Sequence, residues 1–299
     1  MARIAYVNGR YLPLDRAAVG VEDRGYQFAD AVYEVVKVVG GRPRDLDRHL
    51  DRLGRSLAAL GIGWPMSREA LRGVIARTLR RNRLRDASVY LQVGRGRAPR
   101  NFLFPKAARP SLVVVVRRAS FPRPDEQADG VGVVTLPDER WARRNVKTVG
   151  QLPNVLAKQK AAEAGCREAW LVDRDGLVTE GASSNAYIVD RDGRLVTRPL
   201  GPDILPGVTR SVVLELARDE LGLRVVERPF TVEEARAARE AFLTSTNALV
   251  LPVTSIDGHP VANGKPGSVT ERLLAAYAAR SGLELSRRTD AEASQTPAV

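Results

Sequence analysis

Apolar residues along this chain recur with two different periods. Residues 4–7 alternate as a strand would, and the β-branched run Val32-Tyr33-Glu34-Val35-Val36-Lys37-Val38-Val39 predicts another strand. Over residues 44–60 the period changes. Leu46, Leu50, Leu53, Leu57 and Leu60 fall at spacings of four and three, on one face of a helix. A second helix is predicted over 67–83, with Ser67 suited to accept its first free N–H groups. Residues 87–94 and 110–116 return to the strand pattern. The proline-punctuated Phe121-Pro122-Arg123-Pro124-Asp125 then breaks it and marks the expected domain boundary. Beyond lie a strand (131–136), a helix (154–164), a helix (208–221), a strand pair around Thr244-Ser245-Thr246-Asn247, and a last helix (267–280). From Ser286 the chain is polar without periodicity and is expected to be disordered. The pattern predicts an α+β protein. Its parts are a small N-terminal α/β domain (1–120), a linker (121–126), a larger C-terminal domain (127–285) and a tail (286–299).

Composition narrows the function. At 299 residues with 44% hydrophobic residues, the chain can bury two ordinary cores. No apolar run reaches the length of a membrane span, and the strand-like start argues against a secretory leader, so the expectation is a cytoplasmic protein off the membrane. The one cysteine, Cys166, fits a reducing compartment and a structural place at a helix end. A net charge of +12 raises a nucleic-acid partner. However, the arginines are scattered over helix faces, and aromatic content is only 5%, with no basic stretch carrying rings that could stack on bases. A solvated basic surface and no nucleic acid is the favoured reading; a basic nucleic-acid-binding protein is the non-enzyme alternative. No metal site is predicted. Lysine is scarce beside arginine, which makes each lysine informative, because a guanidinium cannot supply a neutral amine.

The stretch from Glu180 to Arg210 carries the most chemistry. An acid is followed by small hydroxyl residues up to Asn185, then an apolar strand, and later Leu205-Pro206-Gly207-Val208-Thr209-Arg210 leads into a helix. Free N–H groups and a hydroxyl at a helix start can hold a phosphate. An acid and a phosphate cradle together suit a ligand with a phosphate and a basic ring nitrogen. Glu180, Ala182, Asn185, Ala186, Tyr187, Leu195, Thr197, Leu205, Gly207, Val208 and Arg210 stand in the order and spacing of the signature of the class IV pyridoxal-phosphate aminotransferases, which this chain resembles. The resemblance runs over about residues 3–283 and is closest to the D-amino-acid aminotransferases.

That resemblance implies the two-domain α+β architecture of fold type IV, with pyridoxal 5'-phosphate in the interdomain cleft. It makes Lys147 the catalytic amine that bonds the cofactor, because Leu152-Pro153-Asn154-Val155-Leu156-Ala157-Lys158-Gln159 resembles the segment after the family's lysine. Glu180 would face the pyridine nitrogen, with Ser184 and Asn185 beside the cofactor. Val208, Thr209, Ser245 and Thr246 would hold the phosphate, and Arg52, in His49-Leu50-Asp51-Arg52, would supply charge. A plain surface charge is the alternative for Arg52, which lies between Leu50 and Leu53 of the apolar stripe. His49 reads as a structural helix residue, and Lys158 and Lys160 as solvated charges.

In the substrate pocket, Tyr33 and Val35 come from a segment resembling the family's EDRGYQFGDGVYE, in which Ala29 and Ala31 replace glycines. Tyr90 and Arg100 match two of the three places of a carboxylate trap. Phe102 stands where the third would be a histidine, which removes a donor. The implied reaction moves the amino group of a D-amino acid such as D-alanine to a 2-oxo acid such as 2-oxoglutarate, in a homodimer. An (R)-amine transaminase, a branched-chain L-amino-acid transaminase and an aminodeoxychorismate lyase are the alternatives within the fold.

Overall fold

The computed structural model describes residues 3–119 and 121–283; the tail at 286–299 lies outside them. The chain divides into two compact units. The first is built from three stretches, Met1–Ser120, Arg140–Leu152 and Leu200–Val208, and the second from the remainder.

In the first unit, β1 (Ile4–Val7), β2 (Arg10–Pro13), α1 (Arg24–Phe28), β3 (Ala31–Val39), β4 (Arg42–Pro43), α2 (Leu46–Leu60), α3 (Arg68–Asn82), β5 (Ala87–Gly94) and β6 (Ser111–Arg118) follow in order. The six strands form an antiparallel sheet, β2-β1-β6-β5-β3-β4. Alternation decides its faces. Val32, Val36 and Val38 of β3 and Ala87, Val89, Leu91 and Val93 of β5 pack with Leu50, Leu53 and Leu57 of α2 and Leu71, Ile75 and Leu79 of α3. Tyr33, Val35, Ser88, Tyr90 and Gln92 alternate with these and belong to the opposite face. Ser67 caps α3 as expected, its Oγ accepting from Ala70 N–H at 3.2 Å. α2 ends at Gly61, whose φ of 61° suits a residue without Cβ.

The second unit holds α4 (Pro124–Asp129), β7 (Val131–Pro137), most of α5 (Leu152–Glu163), β8 (Glu168–Val172), β9 (Val178–Gly181), β10 (Asn185–Val189) and β11 (Leu195–Thr197). There follow α6 (Val208–Asp219), β12 (Val225–Glu227), α7 (Val232–Arg236), β13 (Glu240–Ser245), β14 (Leu249–Ile256), β15 (His259–Pro260) and α8 (Ser268–Ser281). Its mixed sheet runs β12-β11-β10-β13-β14-β7-β8-β9, with β15 beside β14. Tyr187 and Phe242, cross-strand partners, stack with centroids 4.5 Å apart. The expected linker 121–126 includes the first turn of α4, where Pro124 fits because the first helical N–H needs no partner within the helix. Among the described residues, no helix is long and apolar enough to cross a membrane.

Candidate active site

The half of β3 that does not pair with β4 has another neighbour. Tyr33 N–H donates to Lys147 O at 3.0 Å and Val149 N–H to Ala31 O at 3.1 Å, so the segment around Lys147 runs antiparallel beside it. Cross-strand pairing sets Lys147 against Tyr33. Lys147 Nζ stands 4.4 Å from the Tyr33 ring centroid, and its backbone N–H donates to Ser56 Oγ at 3.3 Å. The Tyr33 ring lies 5.7 Å from that of Tyr90, whose hydroxyl donates to Gln92 Oε1 at 2.7 Å. Burial and Tyr33 push the Tyr90 phenol up to about 12. Lys147, Tyr33 and Tyr90 are therefore brought together. Val35 shares the sheet face of Tyr33 and pairs with Tyr90 across the strands.

Arg52 is no surface charge. It is 4% exposed, and its Nε and Nη2 both donate to the buried Glu34 carboxylate at 2.7 Å, a bidentate pair. His49 Nδ1 lies 2.8 Å from Glu34 Oε2. Burial alone would raise the Glu34 carboxyl, but the Arg52 charge and the bonds from Arg52 and His49 hold it at about 2. The remaining Arg52 nitrogen, Nη1, donates to Pro206 O at 3.1 Å. The guanidinium is thus fixed beside the residues that lead into α6, two positions before its first residue. That first turn carries no acid, and its Thr209 is buried.

In the second unit Glu180 is 3% exposed on β9, and Asn185 Nδ2 donates to its Oε2 at 2.8 Å. Ser184 Oγ turns instead toward Glu168 on β8, at 3.2 Å, and Ser183 Oγ donates to the same oxygen at 2.5 Å. Glu168 also takes Lys158 Nζ at 3.3 Å, so Lys158 is not a free solvated charge as expected. Ser245 and Thr246 lie at the turn between β13 and β14, where Ser245 Oγ accepts from Ala248 N–H at 3.0 Å. Leu249, the first residue of β14 after this turn, takes a φ of 59°.

Arg100 and Phe102 form a separate cluster in the first unit. The Arg100 guanidinium carbon is 4.9 Å from the Phe28 centroid and 5.6 Å from that of Phe102. Arg24 tethers this loop through Nη1, which donates to Asn101 O at 2.5 Å. Ala29 ends α1 in the left-handed region at φ 55°, whereas Ala31 lies in β3 outside it. Sequence reasoning did not single out Glu34, Gln151 or Glu168. An acid inside the β-branched run of β3 was the available signal for the first; the other two have no local one.

The family model "Amino-transferase class IV" matches residues 31–256. A D-alanine aminotransferase of Bacillus licheniformis is 42% identical over 269 residues, 90% of this chain and 94% of that protein. One of Listeria innocua is 39% identical, covering 89% and 92%. Among solved structures, the Escherichia coli branched-chain amino acid aminotransferase superposes with a TM-score of 0.87 at 26% identity, over 95% of both chains. The branched-chain amino acid aminotransferase from Thermobaculum terrenum, solved in its PLP-form, gives 0.81 at 25% identity, again over 95% of both chains.

Proposed function

Because the chain belongs to the class IV aminotransferase family, we propose that it is a pyridoxal-phosphate-dependent D-amino-acid transaminase. It would move the amino group of D-alanine or a similar D-amino acid to a 2-oxo acid such as 2-oxoglutarate. The observation that carries this reading is the amine of Lys147 over the Tyr33 ring, in a chain 42% identical to a D-alanine aminotransferase across 90% of its length.

The donor set suits the cofactor. A phosphate needs fixed cations and N–H or hydroxyl donors, and the chain offers the clamped Arg52, the acid-free start of α6 at Val208 and Thr209, and the hydroxyls of Ser245 and Thr246. A basic ring nitrogen needs a carboxylate, and Glu180 is one, steadied by Asn185, with Ser184 in the same loop. When bound, pyridoxal 5'-phosphate supplies an aldehyde for the amine and a ring that takes up the electrons freed at the substrate Cα. Lys147 Nζ would hold the cofactor at rest and would carry the Cα proton during transfer. Tyr33, Val35 and Tyr90 line the substrate side, and Arg100, packed with Phe28 and Phe102 in its own cluster, is the cation for the carboxylate.

The same proposal includes a division into domains 1–120 and 127–285 around a linker, a homodimer and a cytoplasmic setting. Tyr26, Phe102 and Leu103 are 77%, 79% and 76% exposed in the single chain, an apolar surface that a second copy would cover. The lone cysteine fits a reducing compartment. Phe102 also supports a second reading, an (R)-amine transaminase, whose donor has no carboxylate to bind.

One experiment separates these. The cofactor-loaded protein is mixed separately with D-alanine, L-leucine and (R)-1-phenylethylamine, and its visible absorption is followed. Loss of the visible band with D-alanine is expected; a response to L-leucine alone, or to the amine alone, would overturn the assignment.

A further inference from the structure

The segment that carries Lys147 is held by a side chain with no role so far. After Val149 the chain turns back at Gly150, and Gln151 N–H donates to Val149 O at 2.8 Å. The Gln151 side chain then returns across the pairing with β3. Its Nε2 donates to Thr148 O at 2.9 Å. A carbonyl can only accept, so this bond fixes which end of the amide is the NH2. Oε1 therefore faces the Tyr33 hydroxyl, 3.4 Å away, and the phenol is the donor.

Tyr33 is thereby held on three sides. Lys147 stands over its face, Tyr90 lies beside its ring, and Gln151 Oε1 accepts the hydrogen bond of its hydroxyl. An aliphatic side chain could fill the place of Gln151, but it could not bond Thr148 O and Tyr33 Oη together.

We infer that Gln151 is a positioning residue for amine transfer: acting through the Tyr33 hydroxyl, it fixes the ring against which the Lys147 amine sits while moving the Cα proton. This rests on the transaminase reading above, but it can fail alone. In the cofactor-loaded enzyme, Gln151→Met should lower kcat with D-alanine about 3- to 10-fold, the worth of one neutral hydrogen bond, with KM changed less than about 2-fold. D-alanine deuterated at Cα should show a larger isotope effect than in wild type, because proton movement becomes more rate-limiting.

A double-mutant cycle with Tyr33→Phe gives the decisive readout. If Gln151 acts through that hydroxyl, the double variant is no slower than the slower single variant; additive losses would overturn the inference. Should Gln151→Met fail to load cofactor, Tyr33→Phe alone must still raise the isotope effect, and an unchanged value would overturn it equally. If wild type ignores D-alanine yet accepts another donor, the substrate assignment falls, and the same cycle on that donor judges Gln151.

Discussion

Replacing Glu34 with glutamine tests how the guanidinium of Arg52 is held. The wild-type carboxylate is fully buried, takes two 2.7 Å bonds from Arg52, and has His49 at 2.8 Å. Glu34→Gln keeps the shape but removes the charge and turns an NH2 toward a group that can only donate. Arg52, 4% exposed, keeps its bond to Pro206 O and loses its counter-charge. Breaking a buried pair in this way costs about 3–5 kcal/mol. At about 2–4 °C per kcal/mol for a chain of this class, the melting temperature should fall by about 6–20 °C.

The acid range gives an independent check. Glu34 is depressed from 4.5 to about 2 when folded. Its contribution is therefore complete above pH 4.5 and is lost as the pH falls toward 2. At about 1.4 kcal/mol per pH unit this amounts to on the order of 3 kcal/mol, and Glu34→Gln should lack that part of the acid dependence. The assay is urea unfolding followed by tryptophan fluorescence, at pH 7 and through the acid range. A variant within 1 kcal/mol of wild type at pH 7, with the same acid dependence, would refute the reasoning.

Three further substitutions follow from the geometry. Ala29→Gly should raise the unfolding free energy by about 0.5–1 kcal/mol, because Ala29 sits at φ 55° where a Cβ is strained; no gain in a urea titration would contradict this. Lys37 is buried, and burial lowers its ammonium to about 8. Between pH 8 and 10.5 the unfolded chain binds more protons there, so wild-type stability should rise with pH across that window, and Lys37→Met should lack the rise. Phe102→His restores a donor near Arg100 and should lower KM for D-alanine about 3- to 10-fold with little change in kcat; an unchanged KM would place residue 102 away from the carboxylate.

Local pattern carried much of the architecture. The leucine spacing of α2, the cap at Ser67 and the alternation of β5 each need only a few neighbouring residues, and the structure repeats them. α1, α4 and α7, of five or six residues, are too short to show a helical period. What could not be read depends on distant partners. Arg52 stands next to Leu53 of an apolar stripe, and only β3, placing Glu34 opposite it, explains why it is buried. Lys158 and Ser184 share Glu168, on another strand. The return of residues 140–152 to the first unit, which pairs Lys147 with Tyr33, crosses more than a hundred residues and leaves no local trace.

One lysine, Lys147, is proposed to bond the cofactor. Borohydride reduction of the cofactor-loaded protein makes such a bond permanent, and peptide mass mapping then locates it. The added phosphopyridoxyl mass should fall on the peptide containing Lys147 and on no other lysine. The same mass on Lys37, Lys158 or another lysine, or on none, would contradict the account.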